Sequence, residues 1–166
     1  AQRAGVHAPA QLLHAAIGNH RVQRQRTAAQ AAAHADRVGR RRGQALVGMH
    51  ALLVPSSDPH LSEYLPGRWQ GREWLSGFTG SMATLAVGSE RAALFADSRY
   101  WVQAEAQLAG SGIELVRIGS AAAPAHLDWL VEQVPRGGIV AVDGQGLGLA
   151  AAQALQARVD DAGITL

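Results

Sequence analysis

Two carboxylates and an imidazole fall within six residues at Asp58, His60 and Glu63, in the stretch Ser56-Ser57-Asp58-Pro59-His60-Leu61-Ser62-Glu63-Tyr64. Such side chains can ligate a divalent metal. His60 and Glu63, three apart, would share a face if the segment were helical. A small metal hydrolase using Asp58, His60 and Glu63 is therefore one function the sequence allows. The same residues also read as a loop, with Asp58 as a cap and a Ser/Glu capping pair opening a short helix. Nothing local supplies the well-spaced further ligands of a metal centre, which favours the loop.

Three further clusters carry unusual side chains. Gly77-Phe78-Thr79-Gly80-Ser81 could offer backbone amides to an anion. It lacks the Gly-Lys-Ser/Thr of a P-loop and the Gly-x-Ser-x-Gly of a nucleophile elbow, so a tight turn feeding a strand near Ala83 is the better reading. In Asp97-Ser98-Arg99-Tyr100-Trp101 a strand gives way to a helix. An Arg at that junction can point out of the sheet edge and hold a carboxylate bidentately. It can equally lie over its aromatic neighbours and pair with Asp97. Asp143-Gly144-Gln145-Gly146-Leu147-Gly148 has the glycines of a dinucleotide loop but no following strand and acidic residue at the needed distance, so it reads as a plain glycine-rich loop.

These clusters must be positioned by a fold. His50–Pro55 is a short apolar run that reads as a buried strand. Ala83–Val87 and Arg91–Ala96, around Gly88-Ser89-Glu90, read as a hairpin. A helix capped by Ser98 is expected to run through Tyr100, Ala104 and Leu108, stopped by Gly110 and Gly112. Ile113–Ile118 is a strand. Leu127, Leu130, Val131 and Val134 follow helical spacing after Pro124. Ile139–Val142 is a strand, Leu147–Val159 an Ala-rich helix, and Ile164–Leu166 the start of a last strand. A hairpin followed by alternating units predicts an α/β domain with a mixed sheet and helices on its faces.

Composition bounds the function. The 166 residues suit one domain that can bury a core without staples. There is no cysteine, which excludes disulfides and thiolate metal sites. No apolar run reaches the length of a membrane helix, and the Arg-rich start lacks the apolar stretch of a secretory signal. A cytoplasmic protein with no membrane partner is the expectation. The net charge of +2 conceals a division: residues 1–48 carry +7 and residues 49–166 carry −5. All four Trp, both Tyr and both Phe lie after residue 49, so the second part must build the core. The basic runs Arg21–Arg26 and Arg40–Arg42 have no interleaved aromatics and no reader motif around them, which argues against a nucleic-acid partner.

Three strings in order carry a resemblance: Pro55-Ser56-Ser57-Asp58-Pro59-His60-Leu61-Ser62-Glu63-Tyr64, then Trp74-Leu75-Ser76-Gly77-Phe78-Thr79-Gly80-Ser81, then Asp97-Ser98-Arg99-Tyr100-Trp101-Val102-Gln103-Ala104. Together they closely resemble the creatinase-type amino-terminal domain of Xaa-Pro aminopeptidases of the three-domain kind, over about residues 50–166. The resemblance implies a ribonuclease H-like mixed sheet with helices on both faces. It also implies membership of a metallopeptidase family that removes the residue preceding an amino-terminal-penultimate proline. In complete members two divalent metals, often manganese, sit in a carboxy-terminal pita-bread domain on Asp, Asp, His, Glu and Glu, where a bridging hydroxide attacks the scissile carbonyl.

None of those ligand positions is found in this sequence, so the resemblance implies a non-catalytic domain that itself binds no cofactor. Such a domain helps to shape the substrate site and the dimer, and meets a peptide substrate through a complete enzyme. In relatives the Arg of the Asp-x-Arg-Tyr motif contacts the peptide; that position is Arg99. His60 and Tyr64 follow as further substrate-site candidates. A stand-alone peptide-binding or regulatory module is the alternative role.

Ala83 stands where the family pattern has Gly. Residues 1–48 do not resemble the Leu-bearing amphipathic helix with which relatives begin. Thr27 can cap a helix over 27–42, but its buried face would be mostly Ala and gain little from packing. Residues 1–48 are thus expected to be an atypical disordered to weakly helical segment, of out-of-frame or misassigned origin, beside a domain at 49–166.

Overall fold

A computed structural model describes residues 32–62, 64–119 and 124–166. The expectations for residues 1–31, among them the disordered start, the Thr27 cap and the Arg21–Arg26 run, and for Glu63, lie outside the described residues.

Five strands form one mixed sheet in the order β4-β3-β2-β1-β5. They are β1 (Ala51–Val54), β2 (Thr84–Gly88), β3 (Ala92–Ala96), β4 (Ile113–Arg117) and β5 (Val140–Val142). The hairpin β2–β3 is antiparallel, with Val87 opposite Ala92. β1 is antiparallel to β2, while β4 runs parallel to β3 and β5 parallel to β1. Beyond β5, Thr165 bridges Ile139 in parallel at the place where the sequence begins a last strand.

This topology has one consequence for function. β1, β3, β4 and β5 all point the same way, and β2 alone opposes them. The carboxyl ends of four strands and the amino end of β2 therefore share one edge. The segments that follow or precede those ends are 55–64, 77–83, 97–101 and 143–148. They are the four clusters that the sequence marks out as chemically unusual.

Helices cover both faces, as expected. β2 and β3 are almost wholly buried, with the near-continuous apolar sequences of doubly covered strands. On one face Ala86, Ala93 and Phe95 meet Leu127 and Leu130 of α4 (Ala125–Glu132) and Leu155 and Val159 of α5 (Leu149–Asp161). On the other, Leu85, Val87 and Leu94 meet Leu75 of α2 (Gly71–Ser76) and Ala104 and Leu108 of α3 (Trp101–Leu108). The expected Ser98 cap does not form. Tyr100 is the N-cap of α3, and its side chain makes no capping bond. The carboxylate of Asp97 instead accepts from the Arg99 backbone N–H at 3.1 Å.

Residues 32–45 form a helix, α1, and this part of segment 1–48 joins the domain rather than standing outside it. Its Val38 is 1% exposed and belongs to the same cluster as Leu75 and Leu85, with Ala45 and Leu46 packed beside it. The Ala-rich face suffices because small side chains let the helix approach closely and seat one branched residue. Arg41 adds a tether: it donates to the Trp74 carbonyl and lies 4.7 Å over the Trp74 ring. Val38→Ala is expected to lower the unfolding free energy by about 1–3 kcal/mol, read from urea melts. A change indistinguishable from zero would mean that α1 does not dock.

Candidate functional site

Asp58 begins the site. It is 2% exposed, and its Oδ1 accepts backbone N–H groups from Ser62 at 2.9 Å and His60 at 3.0 Å. Leu61 N–H bonds back to the Asp58 carbonyl at 2.9 Å. The aspartate thus caps a turn, as in the second of the two readings open to it. These bonds, chiefly that from Ser62, hold the carboxyl below its ordinary value of 3.8 against the opposing effect of burial. The turn forces Leu61 to φ 53°, the one positive φ at a non-glycine among the described residues. Such strain is tolerated where surrounding bonds over-determine the backbone. It leaves the Leu61 side chain 63% exposed at the sheet edge.

His60 is exposed and Tyr64 is 80% exposed. Among the described residues no group of three or more His, Cys, Asp or Glu could hold a metal ion. Asp58, with its Oδ1 engaged by backbone N–H groups, is committed to the turn.

Arg99 follows β3. Its Nε and Nη2 donate to the two oxygens of Asp97 at 3.0 and 2.7 Å, a bidentate fork. Its guanidinium carbon lies 5.3 Å from the Tyr100 ring centroid. The sequence left open whether this Arg would pair locally or face outward, and the geometry does both. The fork fixes the head group, yet the side chain stays 62% exposed and lines a cleft of about 550 Å³. Ser56, Ser57, Leu61, Ser62, Ser81 and Met82 form the rest of that cleft. Hydroxyls, two apolar side chains and one anchored cation suit a peptide backbone or a carboxylate. The site lies at the carboxyl ends of parallel strands, where ligands bind open α/β sheets.

Asp97 is held below 3.8 chiefly by the Arg99 side chain, with burial opposing. The sign is the same for Asp58 and Asp97. A depressed folded-state pKa contributes stability above the unfolded value that is lost as pH falls through the folded one. Urea midpoints are expected to hold from pH 7 down to about 5 and to decline below about pH 4. Asp58→Asn should flatten that decline.

Arg72 on α2 was not singled out in the sequence. It is 6% exposed. Its Nη1 donates to Ser56 Oγ and its Nη2 to the Gly80 carbonyl. Its carbon lies 5.1 Å from the Phe78 ring centroid. Burial pushes its pKa down, while Glu73 and Tyr100 act the other way. Among the described residues it has no ion pair. Ser56 Oγ also accepts from Ala83 N–H at 2.9 Å and donates to the Ala83 carbonyl at 2.6 Å. Ala83, where the family pattern has Gly, is not among the positive-φ residues, so the side chain brings no strain. Nothing in a lone Arg between Gly71 and Glu73 signals burial; only the packing of α2 over the 77–83 loop reveals it.

Ser81 Oγ and Tyr100 Oη share a bond at 2.7 Å, and Ser57 Oγ donates to the Gly146 carbonyl. Hydrogen bonds thus knit all four edge segments together. Gly144–Gly146 make a short 3₁₀ turn capped by Asp143, whose carboxylate accepts from Gln145 N–H at 3.0 Å, and Gly148 is the N-cap of α5. They are not arranged as a dinucleotide loop.

A mixed sheet with this strand order, helices on both faces and a cleft at its carboxyl edge defines the amino-terminal fold of the creatinase and prolidase class. Residues 45–165 match the family model Creatinase/Prolidase N-terminal domain, and the chain belongs to that family. Aminopeptidase P2 of Arabidopsis thaliana is 41% identical over 97 residues, which are 58% of this chain and 14% of that protein. The crystal structure of X-prolyl aminopeptidase from Caenorhabditis elegans, described as a cytosolic enzyme with a di-nuclear active site, aligns with a TM-score of 0.64. It is 35% identical, over 73% of this chain and 20% of that one. An Xaa-Pro aminopeptidase structure from Streptococcus pyogenes aligns at 0.51 with 26% identity, over 79% of this chain and 90% of that one. The chain therefore spans about a seventh of the length of the curated relative from Arabidopsis. No helix among the described residues is long and apolar enough to cross a membrane.

Proposed function

We propose that this chain is the non-catalytic amino-terminal domain of a cytoplasmic Xaa-Pro aminopeptidase, shaping the substrate site and contributing to a dimer. Catalysis in this reading belongs to a carboxy-terminal domain holding two divalent metals, with manganese the expected pair. The observation that carries the proposal is the placement of Arg99. It stands at the carboxyl end of β3, anchored by Asp97 and facing a hydroxyl-lined cleft. His60 and Tyr64 lie exposed on the segment that borders this cleft, where they can reach a peptide.

Calorimetric titration with Ala-Pro-Ala tests the reading. Binding without turnover is expected, and Arg99→Ala should weaken it by about 1–3 kcal/mol, the range for a hydrogen bond from a charged donor. Unchanged affinity would remove Arg99 from the site. Turnover of the peptide by this chain with added manganese would overturn the non-catalytic assignment.

A further inference from the structure

We infer that Arg72 is the positioning residue of the Arg99 cleft: a buried guanidinium fork that sets the spacing between the segment after β1 and the loop before β2. The inference rests on the proposed peptide site for its functional consequence and on the geometry alone for its structural one. Ser56 belongs to the first segment; Gly80, followed by Ser81 and Met82, belongs to the second. Ser56, Ser81 and Met82 line the cleft together with Arg99. Arg72 reaches both segments at once, through Nη1 to Ser56 Oγ and Nη2 to the Gly80 carbonyl.

A cation almost wholly removed from water is costly unless its donors are satisfied. Its partners are a hydroxyl and a carbonyl, with the Phe78 ring beneath the guanidinium, while its buried Nε finds no acceptor among the described residues. An apolar residue would fill the same space without that cost. What it would not supply is two rigid, diverging donors that fix two segments at one distance. Lysine, a single-point donor on a flexible stem, would not supply them either. Ser56 carries the constraint further, because its hydroxyl also holds both backbone groups of Ala83. From Arg72 the fixed geometry thus runs through Ser56 to Ala83 and through Gly80 to Ser81, whose hydroxyl meets Tyr100 beside Arg99.

The chain has two methionines, and their methyl resonances separate this role from general stability. Met82 lines the cleft. Met49 precedes β1 at the opposite end of the sheet and serves as the internal reference. In the full chain, Arg72→Lys is expected to shift the Met82 methyl while leaving Met49 in place, and to weaken Ala-Pro-Ala binding about tenfold, or about 1.4 kcal/mol. Ser56→Ala, which keeps the charge and removes one acceptor, is expected to move the same methyl and serves if the lysine variant does not fold. An unmoved Met82 methyl in the folded variants, or equal displacement of both methyls, would overturn the inference. Failure of the wild-type chain to bind the tripeptide would instead sink the proposed peptide site, since the methyl readout needs no ligand.

Discussion

Phe95→Ala is expected to lower the unfolding free energy by about 3–5 kcal/mol, the range for deleting a buried aromatic side chain. Phe95 is 1% exposed on β3, the strand between β2 and β4. Its ring meets Trp129 edge to face, with centroids 6.2 Å apart and planes at 76°, and His126 at 6.0 Å. Both partners lie on α4, so the ring joins that helix to the sheet. Around it lie Ala86 of the neighbouring β2 and Ala93 of β3 itself. Residues that small cannot swing in to fill the void, and little collapse is available to soften the loss. With total stabilities of about 5–15 kcal/mol for such domains, the variant would sit near the edge of folding. Urea denaturation gives the measurement: a lower midpoint with an unchanged slope is expected. A loss below about 1 kcal/mol would show that α4 does not press on the sheet through this ring.

Gly80→Ala is expected to cost about 1–3 kcal/mol by overpacking and to disturb the cleft as well. A Cβ at this position would stand 2.3 Å from Phe78 Cζ and 2.8 Å from Tyr100 Cδ1. Neither ring can simply rotate away. Phe78 is fully buried and packs edge to face with Tyr100 at 5.9 Å. Tyr100 shares its hydroxyl with Ser81. The same glycine offers its carbonyl to Arg72, so the strain would pass into the positioning fork. Gly80→Ala combined with Phe78→Leu should recover part of the loss, since the smaller side chain vacates the volume the methyl needs. Additive effects in that double variant would refute the steric account, because residues in contact should couple.

These outcomes bear on how much was legible from the chain alone. The hairpin was visible because Ala83–Val87 and Arg91–Ala96 are unbroken apolar runs around a turn, and the structure pairs them as β2 and β3. The parallel strands and their helices followed from apolar periodicity, with limits shifted by two residues for α5. The helix cap at Ser98 was misplaced because Asp97 starts a turn before the helix, its carboxylate accepting from Arg99 N–H and its carbonyl from Tyr100 N–H, so that α3 begins only at Trp101. The docking of α1 was missed because a mostly Ala face reads as weak, although one valine at the right register suffices to join a core.

The candidate site divides along the same line. Sequence determined which segments hold unusual chemistry, since residue type and local spacing are written in the chain: Asp58 with its following turn, Gly77–Ser81, and Asp97 with Arg99. It also determined the family, because ordered motifs survive at fixed spacing. Only tertiary structure decided that these segments share one sheet edge, a consequence of strand direction, which arises from pairing between distant residues. Only tertiary structure turned Arg72 from an unremarked helix residue into a buried fork, because burial belongs to the packing of several segments. The same holds for Arg99, whose two readings were equal in sequence. Anchoring by Asp97 and exposure to the cleft became compatible once β3 had placed both residues at the sheet's carboxyl edge.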